Sequence, residues 1–187
     1  RMEYFYTRQR RQLGLGHAVL CAKPLVGRQS FVVALGDSII GINAKSDIVQ
    51  RMVEQFEKSK ADIVVAFEEV PREEVVRYGI ARPKGETGSS FELADLIEKP
   101  SVEEAPSQLA VAARYVFSPA IFDALERTEP GKGGEIQLTD AIRILLKEGA
   151  KGIGMCLGPE EPRFDIGNYE SYFKSFVEFA LADPDYG

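Results

Sequence analysis

Phe31-Val32-Val33-Ala34-Leu35-Gly36-Asp37 decides the fold. Its apolar residues follow one another without the polar alternation of a half-wet strand, which describes a strand buried on both faces. Strands of that kind belong to sheets covered by helices on two sides. Gly36 ends the run. Asp37 then falls at the carboxyl end of the strand, where open α/β folds take their ligands.

Working toward the C-terminus, Ser46 or Asp47 caps a helix in which Ile48, Val49, Met52, Val53 and Phe56 recur at helical spacing. Glu54, Glu57, Lys58 and Lys60 take its wet side. Ala61 to Phe67 is a second buried strand. The stretch 71–96, richer in charge, Gly and Pro, reads as hairpin-like excursions. Leu109 to Phe117 is a strand. Ser118-Pro119 opens a helix, with serine as cap and proline at the first helical position. Glu135 to Glu148 is a helix closed by Gly149, Gly152 to Leu157 a short strand, and Tyr169 to Ala182 an amphipathic terminal helix. Toward the N-terminus, Gly14 to Ala22 reads as a helix entered through a glycine turn, and Met2 to Thr7 as a strand. Strand and helix alternate throughout, which predicts an α/β domain with a largely parallel sheet. No repeat or linker divides it, so 1–187 is expected to be a single domain. Arg1 precedes Met2 at a strand already under way, as in an N-terminally truncated chain.

Composition narrows the function. The 187 residues carry a net charge of −6, unlike the basic surface that a general nucleic-acid or anionic-membrane binder needs. The run Arg8, Arg10, Arg11 is too short to reverse that. No stretch has the length of a membrane span and no signal peptide opens the chain. Cys21 and Cys156 sit in apolar segments, as buried free thiols do in a reducing cytoplasm, and a cytoplasmic protein is expected.

His17 is the single histidine, so Ser/His/Asp or Cys/His nucleophilic catalysis and histidine-rich metal sites are poor candidates. Gly14-Leu15-Gly16 does not complete a dinucleotide fingerprint, and Gly131-Lys132-Gly133-Gly134 is not a P-loop. The acids leave two readings open. Asp37 and Asp165 either cap the turns that follow them, which spacing alone favours, or together hold Mg²⁺ with substrate phosphates. Glu98-Lys99-Pro100 is either a surface charge pair or an acceptor for sugar hydroxyls beside a cation for phosphate.

Several blocks, in order, tip this balance: Gln9 with Gly14-Leu15-Gly16-His17-Ala18, Leu35-Gly36-Asp37, Tyr78-Gly79, Ile97-Glu98-Lys99-Pro100, Ala105-Pro106-Ser107, Arg114-Tyr115, Gly134-Glu135-Ile136-Gln137-Leu138-Thr139-Asp140 and Asp165-Ile166-Gly167-Asn168. Together they resemble the bacterial UTP–glucose-1-phosphate uridylyltransferases, from about Thr7 to the terminal helix. Glu-Lys-Pro alone recurs across sugar nucleotidyltransferases. The Gly-Leu-Gly-His-Ala and Glu-Ile-Gln-Leu-Thr-Asp blocks are specific.

The resemblance implies a Rossmann-like nucleotidyltransferase fold with a mixed, mainly parallel sheet, acting on UTP and glucose 1-phosphate to give UDP-glucose and pyrophosphate. It implies Mg²⁺ held by Asp37 and Asp165, and uracil read by the Gln9 amide and the Gly14 backbone. Gly79 would let the backbone approach the glucose ring. Glu98 would accept from sugar hydroxyls and Lys99 would face the glucose phosphate; Asp37, Lys99 and Asp165 are thus the expected catalytic groups. Ser38 stands where many family members carry an acid or a hydrophobe. The family's glycine-rich loop, which cradles the triphosphate, is not in this sequence, so an isolated chain without turnover is expected. Family members commonly self-associate, so a homo-oligomer is expected too. Two alternatives share these residues: another sugar-1-phosphate nucleotidyltransferase, such as one using dTTP, and a non-catalytic nucleotide-sugar binding module.

Overall fold

The computed structural model describes residues 2–42 and 45–185. At its centre lies β3 (Ile63–Glu69), in which Ile63 to Phe67 are wholly buried. Alternation sends Ile63, Val65 and Phe67 to one face and Val64 and Ala66 to the other. The first set packs with Phe122 and Leu125 of α4 (Ala120–Arg127) and with Ile142 and Leu145 of α5 (Leu138–Lys147). The second packs with Ile48 and Met52 of α3 (Ile48–Ser59). A sheet with helices on both faces is the expected α/β sandwich.

The remaining strands of the main sheet are β1 (Phe31–Ala34), β4 (Gly79–Lys84), β5 (Ser90–Glu98), β6 (Leu109–Phe117) and β7 (Gly152–Cys156), in the order β1-β6-β3-β7-β5-β4. The sheet is mixed, as expected, but its balance is not. Only β3–β7 is parallel among the described pairings, while β1–β6, β3–β6, β5–β7 and β4–β5 are antiparallel. A continuous apolar run records burial on two faces and carries no information about a neighbour's direction, so the mainly parallel expectation fails. The β4–β5 hairpin lies in the charged excursion, after a 3-10 helix over Arg72–Arg77. One bridge, Ile80 to Ala110, brings β4 back onto β6. That closure curls the far edge of the sheet round to the carboxyl end of β3. A separate ribbon pairs β2 (Ser38–Ile40) with β8 (Arg163–Asp165).

Three local expectations are corrected. β1 is an edge strand, half-buried in alternation with Val32 exposed. Phe31 supplies its anchor by stacking on Phe122, ring centroids 5.0 Å apart. Its apolar run reflects packing on one face rather than two. Met2 to Thr7 is not a strand; Tyr4, Phe5 and Tyr6 are exposed and unpaired in any sheet. β-propensity is realised only against a partner strand, and none lies beside them among the described residues. Ser118 does not cap α4 with its hydroxyl, which faces Asp62 Oδ1 at 3.4 Å, whereas Ser46 Oγ does accept from the Ile48 N–H at the start of α3.

Leu15–Leu20 forms α1, Lys23–Val26 a single turn, α2, and Tyr169–Leu181 the terminal helix α6. Cys21 and Cys156 are free and half-buried. No helix among the described residues is long and apolar enough to cross a membrane.

Candidate active site

Asp37 sits on the short loop between β1 and β2. That loop is held by Arg114, whose guanidinium donates to the carbonyls of Leu35 (3.2 Å), Ser38 (2.8 Å) and Ala113 (3.0 Å). A bulge in β6 aims the side chain there. The β3–β6 register shifts between Val65 and Phe67, and Ala113 takes a left-handed φ of 57°. Bulges commonly re-aim a side chain in this way beside functional sites. Burial lowers the Arg114 pKa, and the nearby Asp37 carboxylate works against that shift.

The β2–β8 ribbon brings the second acid to the first. Ser38 pairs with Asp165, and the Ile166 N–H donates to the Asp37 carbonyl at 2.8 Å. Asp165 Oδ1 accepts from the Gly167 N–H at 2.8 Å. A Cβ on Gly167 would lie 3.1 Å from Asp165 Oδ1 and 3.4 Å from Asp37 Oδ2. The two carboxylates therefore flank one small space, which a methyl at position 167 would begin to fill.

The opposite wall comes from the ends of β4 and β5. Gly79 pairs with Glu98, and Lys99, at φ 44°, donates its N–H to the Tyr78 carbonyl at 2.9 Å. Glu98 Oε2 accepts from the buried Thr139 hydroxyl at 2.7 Å, while Oε1 lies 3.8 Å from Lys99 Nζ. A Cβ on Gly79 would lie 3.3 Å from Val111 Cγ2 and 3.4 Å from both Glu98 Oε2 and Thr139 Oγ1, so any side chain there would take up room beside those two oxygens. Asp37, Gly79, Glu98, Lys99 and Asp165 thus line a single cleft of about 330 Å³.

Sequence reasoning missed Thr139 and Arg163 as site residues. Arg163 also lines the cleft, ion-paired with Glu68 and stacked over the Tyr78 ring at 5.2 Å. Burial opposes its charge, but Glu68 and Tyr78 more than offset that, so its pKa stands above the ordinary value. A signal for it existed: Arg163 and Asp165 are two apart on a strand and so share a face. Burial, reinforced by Glu98, pushes the Tyr115 phenol well above its usual range and keeps this lining group neutral.

Gln9 and Gly14 do not line the cleft. They sit beside it on a strap tied down by backbone bonds from Ile136 N–H to the Leu13 carbonyl (2.7 Å) and from Gly16 N–H to the Ile136 carbonyl (2.8 Å). Gly14 is required there, since its φ is 93° and a Cβ would lie 2.7 Å from that of Glu135.

Among the described residues no group of three or more His, Cys, Asp or Glu side chains is arranged to hold a metal. The Asp37–Asp165 pair nevertheless fits Mg²⁺. That ion takes one or two carboxylates and completes its shell with water and substrate phosphate oxygens.

Fold and cleft together define an α/β protein with a polar cleft at the ends of its strands. More narrowly, the chain belongs to the nucleotidyl transferase family, whose profile matches residues 1–180. It is 41% identical over 173 residues to the UTP–glucose-1-phosphate uridylyltransferase of Pseudomonas aeruginosa, covering 92% of this chain and 60% of that protein. In structure it is similar to a UDP-glucose pyrophosphorylase complexed with UDP-glucose, with a TM-score of 0.88, 36% identity, and coverage of 96% of this chain and 66% of that one. It is also similar to a UTP-bound enzyme of the same kind from Acinetobacter baumannii, with a TM-score of 0.83, 35% identity, and coverage of 97% and 61%. The chain spans about 60% of the length of the curated relatives it matches.

Proposed function

We propose that this chain forms the substrate-holding part of an enzyme that transfers a uridylyl group from UTP to glucose 1-phosphate. The observation that carries the reading is the one cleft with Asp37 and Asp165 on one wall and Glu98 and Lys99 on the other. The uridylyltransferase relatives, and the UDP-glucose and UTP bound in the similar structures, support the same assignment.

In this reaction a phosphate oxygen of glucose 1-phosphate attacks the α-phosphorus of UTP. The new P–O bond forms as the bond to pyrophosphate breaks, and pyrophosphate carries away the electron pair. A phosphate monoester loses its second proton near pH ~6, so the nucleophile is already anionic at neutral pH and no general base is required. A chain with one histidine is suited to that chemistry. Catalysis then rests on positioning and charge.

Glu98 has one oxygen engaged by the Thr139 hydroxyl, and its other oxygen, only loosely ion-paired with Lys99 at 3.8 Å, has lone pairs to accept from a sugar hydroxyl. Lys99 Nζ meets the sugar phosphate as a point charge, flexible enough to follow it. Gly79 leaves room for the ring against the backbone. Asp37 and Asp165 would hold Mg²⁺, which when bound supplies charge neutralisation between the two phosphate-bearing substrates. Gln9 and Gly14 would read the base from the strap beside the cleft. Self-association belongs to the same reading, with the exposed Tyr172, Phe173 and Phe176 of α6 as apolar surface for it; light scattering of the intact protein tests it.

The central test is pyrophosphate release by the intact protein from UTP with Mg²⁺ and glucose 1-phosphate, in competition with dTTP. Preferential use of UTP is expected. Equal use of dTTP would move the assignment to another sugar-1-phosphate nucleotidyltransferase, and release from neither would leave a nucleotide-sugar binding module.

A further inference from the structure

We infer that His17 is a specificity-determining positioning residue, holding the Gln9 amide in the orientation that the Gly14 carbonyl dictates, so that only its oxygen is offered to a base. The inference rests on the reading above that Gln9 meets the base. It starts from two contacts made by one atom. Gln9 Nε2 lies 3.1 Å from the Gly14 carbonyl oxygen and 2.8 Å from His17 Nδ1.

A carbonyl oxygen can only accept, so the amide atom facing Gly14 must be the nitrogen. Turning the amide over would set two acceptors against each other. The second N–H then points at His17, and Nδ1 can accept it only if the imidazole carries its proton on Nε2. That contact is short, whereas the Cys21 thiol, 3.9 Å from the same Nδ1, is a weak competitor. Both amide N–H groups are thereby engaged. Gln9 Oε1 makes no hydrogen bond among the described residues, and the side chain is half-buried on the strap.

An amide locked in this way is an acceptor and nothing else. A pyrimidine with an N–H at ring position 3, as in uracil or thymine, complements it. Cytosine presents a lone pair at that position and is repelled. If Gln9 could turn over, the same residue would accept either base. The Gly14 carbonyl biases the amide and His17 completes the lock, which gives the one histidine of the chain a function outside the cleft. His17 touches neither substrate in this account; it acts through Gln9.

The test compares His17→Leu, His17→Asn and Gln9→Ala in the intact protein, reading kcat/KM for UTP and for CTP together with thermal melting. Asparagine carries an oxygen on the carbon that bears Nδ1 in histidine, so it can restore the acceptor, whereas leucine cannot. His17→Leu should lower the UTP/CTP ratio by about tenfold or more, since discrimination built on a buried polar match is lost with that match. His17→Asn should recover most of it. If His17→Leu instead lowers both nucleotides equally, with a reduced melting temperature and an unchanged ratio, the residue is merely structural and the inference is overturned. A Gln9→Ala variant with an unchanged ratio would remove Gln9 from the base altogether. A lowered ratio in Gln9→Ala but not in His17→Leu would keep the base reading and overturn only the role of His17.

Discussion

The Thr139 hydroxyl, in the first turn of α5, donates to Glu98 Oε2 at the end of β5 across 2.7 Å, joining residues forty-one positions apart. The bond fixes which carboxylate oxygen is left for a ligand. Thr139→Val keeps the shape and removes the donor. The expected result is a higher KM for glucose 1-phosphate with turnover less affected, because Glu98 becomes free to rotate. Stability should fall by about 1 kcal/mol, the usual net worth of such a bond. Steady-state kinetics and thermal melting on the same samples check both; an unchanged KM would detach Glu98 from the sugar.

Asp37→Asn should cut turnover by orders of magnitude while leaving the melting temperature nearly unchanged. Asparagine preserves the volume of the side chain and removes the charge that draws Mg²⁺. Titrating Mg²⁺ distinguishes this from a general defect, since the concentration giving half-maximal activity should rise steeply. Normal turnover at ordinary Mg²⁺ would exclude Asp37 from the ion.

How much of this was legible in the sequence depends on whether a role is local. Asp37, at the end of an apolar run, and the adjacent Glu98-Lys99 could be picked out as candidates because strand end and charge pair are contiguous, while spacing alone left the turn cap and the surface charge pair equally open or favoured. Arg163 was legible in principle, through its alternation with Asp165. Thr139 was not, because its partner lies on another element and a threonine at a helix start is ordinary. Arg114 depends on a bulge, and a bulge exists only in the register of two strands, here Val65 against Tyr115 and then Phe67 against Val111. Strand direction was likewise invisible, since an apolar run is the same read against either neighbour.

Arg114 gives a prediction of its own. Its guanidinium satisfies three carbonyls, those of Leu35, Ala113 and Ser38. Arg114→Met removes all three donated bonds and releases the Asp37 loop, although the Leu35 and Ala113 carbonyls keep the backbone N–H groups of Ser38 and Leu35. A loss of about 1–3 kcal/mol is expected from the lost hydrogen bonds, together with a raised Mg²⁺ requirement. Arg114→Lys should recover little, because one ammonium cannot reproduce the planar fork. If stability fell with no change in Mg²⁺ dependence, the bulge would serve the fold and not the loop.

Acid sensitivity should centre on Glu161. Burial pushes its carboxyl up, but hydrogen bonds from Ser46 and the Gly158 N–H, with the Arg51 guanidinium, outweigh burial and hold it below the ordinary value. A depressed folded-state pKa contributes stability above the unfolded value, and that contribution disappears as pH falls through the folded one. Glu161→Gln should therefore reduce stability at neutral pH and flatten its decline below about pH 4.3, the ordinary glutamate value. Urea melts across that range read the slope; parallel curves for the two proteins would contradict the linkage.

Gly167→Ala separates the space between the carboxylates from the carboxylates themselves. Gly167 does not adopt the left-handed backbone that excludes a side chain, so alanine is free of backbone strain there. Its methyl would meet Asp165 Oδ1 at 3.1 Å and Asp37 Oδ2 at 3.4 Å. The first distance is tight, but the part-buried Asp165 carboxylate, at the end of β8, can yield by a few tenths of an ångström. Stability should therefore stay within about 0.5 kcal/mol, as for a surface substitution. Function should not be spared. The methyl spreads the two acids, and it occupies part of the volume that an ion and a phosphate oxygen must share. A rise in the Mg²⁺ concentration needed for half-maximal activity, with an unaltered melting temperature, is the expected signature. Should the Mg²⁺ dependence be the same as in the parent protein, the ion does not sit between Asp37 and Asp165. Their convergence would then be a turn-stabilising arrangement, as the spacing of the two residues alone favours.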